Sequence, residues 1–235
     1  MSLIDHFQRK EKSVMDHVNI DVVSDVVCPW CYLGKARLDQ AIANVAGDIF
    51  VTVNWRPYQL NPDLPPEGVD HKAHLAAKLG SQAAVDRAHE MLTGLGQQDG
   101  IAFNFDAVKI SPNTLDAHRL IRWALTDGPA TQSRVTALLF KANFEEGRNV
   151  GDHAVLLDIA TEAGLDRAVI AALLASDADK DAVSEEIEMA RGMGVTGVPC
   201  FIIDSQYAVM GAQSVEVLTD ALRDIAKMKD TSQIN

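Results

Sequence analysis

Two cysteines, Cys28 and Cys31, stand three residues apart where a predicted strand gives way to a predicted helix. The stretch before them, 18–27, is rich in valine and isoleucine at strand length, which is typical of a buried strand. After the pair, apolar side chains recur at helical spacing as far as Val45. Pro29 suits the first turn of this helix, because its missing N–H would have no partner there. The pair therefore marks the start of a helix that directly follows a strand.

This position predicts redox chemistry. The free N–H groups and the positive dipole end of a helix favour an anion, so Cys28 is expected to be the thiolate that attacks a disulfide. Cys31 lies one helical turn further on, where it can attack a mixed disulfide formed on Cys28 and release the bound partner. The spacing thus supplies a nucleophile and a resolving thiol.

The cysteine count disfavours two other interpretations of the pair. A chain of 235 residues with three cysteines is unlike the small, cysteine-dense secreted domains that need disulfide frameworks. A closed zinc site needs four ligands, usually a second Cys-x-x-Cys or two spaced histidines, and no second pair occurs in the sequence. We therefore predict no metal at this site. Two unrelated core cysteines remain the simplest alternative to a redox pair.

The overall charge limits the possible partners. With a formal net charge of −12 and a pI near 4.9, the chain lacks the basic balance that binding to nucleic acid or anionic lipid requires. Neither a signal-peptide core near the start nor a span of about 18 apolar residues is evident. We predict a cytoplasmic protein with no nucleic-acid or membrane partner. Residues 1–14 could form an ordered arm or a frayed tail, or precede a start at Met15.

The remaining predicted strands lie towards the two ends of the chain. Residues 50–58 alternate well enough for a second strand, which most simply closes a right-handed parallel crossover with the first. A proline-dense connector at 60–70 follows it. Residues 197–211 have the pattern of an antiparallel hairpin, and a helix over 214–228 follows the hairpin. The two ends must therefore pair in space to complete one sheet.

The region from about His71 to Gly192 is predicted to be almost wholly helical. The expected helices lie at 81–95, 113–125, 131–146, 152–163, 166–175 and 178–191. One of them carries a single apolar stripe formed by Ala117, Leu120, Ile121, Ala124 and Leu125. His118 and Trp123 on this helix are predicted to be packed core side chains rather than catalytic groups.

Four sequence blocks, taken together, resemble the thioredoxin-fold proteins of the DsbA family and in particular their FrnE-like branch. In chain order the blocks are DVVCPWCYLGKARL, VNWRPYQLNPDLP, NTLDAHRLIRWA and GVTGVPCFIIDSQYAVMGAQS. The resemblance implies an α/β, thioredoxin-like fold interrupted by a large all-helical insertion. On this basis the first half of the thioredoxin-like domain spans 15–62, the insertion 63–191 and the second half 192–230.

The resemblance also assigns roles to individual residues. Cys28 and Cys31 stand at the redox pair, and Pro199 stands at the cis-proline that faces it, so that Val198 offers its backbone to an extended peptide or to glutathione. A cis bond before a strand is a retained feature of a tight turn. The implied substrate-binding residues are Pro29, Trp30, Val198 and Pro199. Cys200 follows the proline, and because side chains alternate along a strand, we expect it to point away from the pair into the core.

The predicted function is that of a thiol-disulfide oxidoreductase or isomerase. The Cys-Pro-Trp-Cys pair would act on thiol- or disulfide-bearing proteins or on glutathione mixed disulfides, without a cofactor other than its own disulfide and with glutathione as a possible co-substrate. Two alternatives remain open: a glutathione-dependent isomerase or transferase of the kappa type, and a peptide-binding chaperone. The kappa-type enzymes use serine where Cys28 stands. The direction of electron flow and the oligomeric state are left open.

Overall fold

The computed structural model describes the backbone of residues 16–232 and the side chains of residues 16–229. The alternatives given for residues 1–14, an ordered arm, a frayed tail or a start at Met15, concern a segment outside this range. The strands are β1 (Asp16–Ser24), β2 (Ile49–Pro57), β3 (Val69–Asp70), β4 (Ile110–Ser111), β5 (Cys200–Ile203) and β6 (Tyr207–Met210). The helices are α1 (Pro29–Val45), α2 (His71–Leu79), α3 (Gln82–Gln98), α4 (Leu115–Ala124), α5 (Pro129–Phe144), α6 (His153–Glu162), α7 (Arg167–Leu174), α8 (Lys180–Gly192) and α9 (Val215–Ser232).

A four-stranded sheet joins the two ends of the chain in the order β2-β1-β5-β6. β1 and β2 are parallel and are connected by α1, as predicted. β5 runs antiparallel to β1, with Val22 opposite Phe201. The hairpin turn carries Asp204 and Ser205 at φ of 49° and 58°, the positive values that tight hairpins require. The predicted pairing of the two ends is confirmed.

The segment between β2 and β5 is mostly helical and contains α2 to α8. It also holds a short antiparallel ladder, in which β3 pairs with β4. This ladder was not predicted from the sequence, because two-residue strands carry no periodicity. Beyond these elements, the described part of the segment has two single-turn 3-10 helices, at Phe105–Ala107 and Leu125–Asp127. The predicted fold class, an α/β sheet interrupted by a large helical insertion, is confirmed.

The insertion closes one edge of the sheet. The Gln132 side chain on α5 accepts a hydrogen bond from the Trp55 N–H of β2 at 2.8 Å and donates one to the Trp55 carbonyl at 3.1 Å. Further along α5, Phe140 stacks on Tyr32 of α1, with ring centroids 5.1 Å apart. The side-chain amide thus takes the place of a neighbouring strand at this position.

One apolar cluster extends from the sheet into the insertion. It includes Ile20 of β1, Leu38 of α1, Leu120 of α4, Phe140 of α5 and Phe201 of β5, all of which are buried. Because the two parts share a core, their relative position is fixed by packing. The predicted boundaries at 62–63 and 191–192 remain predictions; the second falls in the last turn of α8.

Candidate active site

Cys28 lies immediately before α1, and Pro29 is the first residue of the helix, as predicted. The Cys28 carbonyl accepts hydrogen bonds from the N–H groups of Cys31 at 3.0 Å and Tyr32 at 3.3 Å. Its side chain makes no hydrogen bond to the first-turn N–H groups. Cys28 therefore stands at the N-terminal end of α1, where the helix dipole is positive.

Cys31 is the more deeply buried thiol of the pair. It is 1% exposed, against 4% for Cys28, and both are free thiols in this structure. Burial raises the pKa of Cys31 well above its ordinary value, and the adjacent Cys28 thiol raises it further. The Ser24 side chain and the Asp25 backbone offset this effect in part. Cys31 therefore favours its protonated form and is the more buried of the two thiols, so the two differ in their environment.

The segment at Val198 lies opposite Cys28. The Val198–Pro199 peptide bond is cis, as predicted. The Cys28 thiol donates a hydrogen bond to the Val198 carbonyl at 3.7 Å. The buried Pro199 ring lies over Gly34 of α1, where an added Cβ would come within 2.9 Å of Pro199 Cγ and 3.1 Å of Phe201 Cζ. A glycine is therefore needed for α1 and the proline segment to approach so closely.

A buried carboxylate next to the pair was missed by the sequence analysis. Asp25 is 1% exposed and accepts a hydrogen bond from the Leu60 N–H at 2.8 Å through Oδ2. Its Oδ1 lies 3.5 Å from Nε2 of His118, a residue that is 3% exposed on α4. His118 is buried as predicted, but it reaches the redox site. The available signal was an acidic residue three positions before Cys28 in an otherwise apolar stretch.

A cavity of about 280 Å³ opens beside Cys28. Pro29 and Trp30 also line it, and Trp30 is 37% exposed. The apolar walls come mainly from the insertion and include Leu75, Leu79, Leu92, Phe105 and Phe144. Its polar lining residues include Asn61, His71, His74, Lys78 and Asn143. The site therefore combines a thiol from the sheet-bearing part with a pocket from the insertion.

The third cysteine is set apart from the pair. Cys200 is 1% exposed and packs in a separate cluster with Val23, Tyr58, Ala190 and Val195. Burial raises the pKa of its thiol. This placement agrees with the expectation that Cys200 points away from Cys28.

Trp123 serves the packing of the insertion. It is 7% exposed, and its Nε1 donates a hydrogen bond to Asp179 Oδ2 at 2.8 Å. Its partner therefore lies in the connection to α8 rather than at the redox pair.

Within residues 16–232, no group of three or more His, Cys, Asp or Glu side chains is arranged to hold a metal ion. No helix in the same range is both long enough and apolar enough to cross a membrane.

Comparison with known proteins decides the family. The family model of the DSBA-like thioredoxin domain matches residues 19–223. The chain belongs to this family. Its members are DsbA-like thiol-disulfide oxidoreductases, which act on thiol and disulfide substrates. The predicted FrnE-like branch stays a prediction.

Two similar proteins are about one-third identical to this DsbA-like chain. The uncharacterized protein YwbO of Bacillus subtilis is 31% identical over 215 residues, which cover 90% of this chain and 99% of the relative. The crystal structure of a probable DsbA oxidoreductase, SCO1869 from Streptomyces coelicolor, is 33% identical with a TM-score of 0.80. The match covers 88% of this chain and 89% of that one.

More distant structures share the fold alone. A 2-hydroxychromene-2-carboxylate isomerase is 17% identical with a TM-score of 0.70, covering 91% of this chain and 98% of that one. The cytosolic disulfide reductase DsbM of Pseudomonas aeruginosa, solved with GSH, is also 17% identical, with a TM-score of 0.58 and coverage of 92% and 100%. The DsbA-like fold of this chain is therefore shared by an isomerase as well as by a reductase.

Proposed function

We propose that this protein is a cytoplasmic thiol-disulfide oxidoreductase that acts through Cys28 and Cys31 on disulfides of proteins or on glutathione mixed disulfides. The observation that carries the proposal is the inequality of the two thiols. Cys28 lies at the positive end of α1 and lines the cavity, whereas Cys31 is buried behind it and holds its proton. A thiol at a helix N-terminus beside a cavity, backed by a second thiol that holds its proton, is the arrangement that two-step disulfide exchange requires.

The two steps balance without an added cofactor. The Cys28 thiolate attacks one sulfur of a substrate disulfide, which forms a mixed disulfide with that sulfur and expels the other as a thiolate. Cys31 then attacks the Cys28 sulfur, forms the Cys28–Cys31 disulfide and expels the second substrate thiolate, which takes up the proton that Cys31 loses. Two electrons pass from the pair to the substrate. Two molecules of a low-molecular-weight thiol such as glutathione can restore the dithiol.

The proposed substrate-binding residues surround the reacting sulfur. Val198 presents a backbone carbonyl to Cys28 at 3.7 Å, and Pro199 fixes this segment against α1. Pro29 and Trp30 line the cavity beside Cys28. The glutathione complex of DsbM supports a glutathione-linked role, although that protein shares only the fold. The net charge of −12 supports partners other than nucleic acid and anionic membranes.

The assignment of the two thiols can be tested by trapping. Cys31→Ser leaves the mixed disulfide unresolved, so this variant should accumulate a covalent adduct with substrate protein or glutathione that mass spectrometry detects. Cys28→Ser should accumulate none, and Cys200→Ser is the matched control that should behave as the wild type. Adducts on the Cys28→Ser variant instead would reverse the assignment. The potential of the pair, measured against glutathione, would give the direction of electron flow.

The isomerase fold match supports a second candidate function, a glutathione-dependent isomerisation in which the residue at position 28 need not be a cysteine. The two candidates respond differently to one variant. Disulfide exchange should be lost in Cys28→Ser, because serine forms no mixed disulfide. A glutathione-dependent isomerase activity that survives in Cys28→Ser would favour the second candidate.

A further inference from the structure

Two residues that line the cavity beside Cys28 each have a buried polar atom with no hydrogen-bond partner within the described part of the chain. These atoms are Oδ1 of Asn143 on α5 and Nε2 of His74 on α2. Asn143 is 2% exposed, and both residues line the cavity. A buried acceptor left unpaired is unfavourable, so a ligand that brings an N–H or O–H to Asn143 Oδ1 would gain a specific interaction.

The cavity walls suit a ring. Phe105 and Phe144 line it and meet edge to face, with centroids 6.2 Å apart. His89 stacks on Phe105 at 4.1 Å, and burial lowers the pKa of His89, which favours its neutral form. Aromatic rings pack well against such surfaces in edge-to-face or offset arrangements. A volume of about 280 Å³ lies at the lower limit of ligand pockets, which leaves room for one ring system rather than a whole tripeptide.

Cys28 takes part in two binding surfaces. Its thiol contacts the Val198 carbonyl at 3.7 Å, and the residue also lines the cavity. A substrate cysteine joined to Cys28 therefore holds the residue next to it near the cavity.

We infer that this cavity is a specificity pocket for a tyrosine or tryptophan side chain adjacent to the reacting cysteine of a disulfide-bonded peptide. The ring packs against Phe105 and Phe144, and its O–H or N–H donates to Asn143 Oδ1. The inference rests on the proposed function and names the substrate class of the same site. Phenylalanine fills the same space but leaves Asn143 unpaired under a ring that excludes water.

The experiment uses short peptides of sequence Cys-X, each as a mixed disulfide with 2-mercaptoethanol, and the full-length reduced protein. The rate of peptide release is measured for X as Tyr, Trp, Phe, Leu and Ala. Tyrosine and tryptophan should be preferred over phenylalanine by about tenfold, and alanine should react most slowly, since a polar site discriminates against analogues that lack its partner.

Two variants test the pocket itself. Asn143→Leu removes the acceptor at similar volume and should abolish the preference for tyrosine over phenylalanine. Ala88→Phe, on α3, fills the cavity and should remove the advantage of every ring over alanine. Asn44→Leu, the same change at an exposed position of α1, is the matched control and should keep the wild-type order. If Asn143→Leu does not fold, the rates measured for Ala88→Phe test the pocket instead.

The outcomes separate this inference from the proposed function. Equal rates for tyrosine, phenylalanine and alanine in the wild type, or a tyrosine preference that persists in Asn143→Leu, would overturn the pocket while leaving the oxidoreductase intact. If no peptide reacts, the proposed function fails. The pocket is then tested by NMR titration. N-acetyltyrosine amide should shift the resonances of the Asn143 side-chain amide more than N-acetylphenylalanine amide does. Equal or absent shifts would refute it.

Discussion

The contact between Gly34 and Pro199 makes a prediction that can be worked out in free energy. A Cβ on Gly34 would lie 2.9 Å from Pro199 Cγ and 3.1 Å from Phe201 Cζ, both in buried residues. Neither neighbour can rotate away easily, because one is a proline ring and the other is fully packed in the core. Gly34→Ala must therefore displace the proline segment or α1.

Two opposing effects set the size of the change. Replacing glycine by alanine in a helix interior stabilises the fold by about 1 kcal/mol. Overpacking a core contact costs about 1–3 kcal/mol. Gly34→Ala should therefore leave the free energy of unfolding unchanged or lower it by as much as about 2 kcal/mol. Gly94 lies inside α3, is exposed and has nothing within 4 Å of an added Cβ, so it is the matched control.

Denaturant unfolding of the two variants measures the free-energy cost of this contact. Gly94→Ala should raise the free energy of unfolding by about 1 kcal/mol, and the gap between the two variants should be about 1–3 kcal/mol, because the helix term cancels. The displaced proline segment should also slow disulfide exchange at Cys28 in Gly34→Ala but not in Gly94→Ala. If Gly34→Ala is stabilised as much as Gly94→Ala, the close approach of α1 and Pro199 is not a constraint.

Three further predictions concern other buried groups. Cys200→Ala should keep the exchange rate and the potential of the pair, and in the reduced wild type one thiol should react quickly with a disulfide reagent and two slowly; a disulfide to Cys200 in the native protein would contradict this. His71 has its pKa lowered to about 4, mainly by burial, so between pH 6.5 and about 4 the unfolded chain binds the proton more readily, and the free energy of unfolding decreases as the pH is lowered through this range. His71→Asn keeps an acceptor for Ser111 and should weaken this pH dependence of the unfolding free energy in denaturant titrations. An unchanged pH dependence would show that His71 does not contribute to it. Trp123→Phe loses the hydrogen bond to Asp179 and should lower the unfolding free energy by about 1 kcal/mol while the potential stays constant; a large shift in potential would show that the insertion tunes the pair.

Elements with a continuous pattern could be predicted from the sequence. The stripe on 113–125 became α4, Leu115–Ala124, with Ala117, Leu120, Ile121 and Ala124 buried. The Cys28 junction and the late hairpin were also found, because each lies within about fifteen consecutive residues whose periodicity or turn residues are visible locally. The predicted helix ends differ from the observed ones by a few residues, since fraying and caps decide them.

The features that escaped prediction depend on residues far apart in the chain. Asp25 meets His118 only because α4 packs on the loop before α1. The cavity beside Cys28 takes its walls from separate helices and loops, and no local pattern marks Asn143 as a lining residue. A pocket is a property of the space between elements, so its position follows from tertiary packing rather than from periodicity.

The pairing of the chain ends has a consequence for how the protein is made. The thiol of Cys28 and the carbonyl it contacts are 170 residues apart, and β1 finds its β5 neighbour only when the last part of the chain is present. At about 5–20 residues per second, a ribosome needs roughly 10–35 s to add the missing stretch. During that interval the nascent chain carries its cysteines without the strand that later faces them. Oxidation, or the formation of a mixed disulfide with another disulfide, would therefore modify at this stage a chain that has not yet assembled its site.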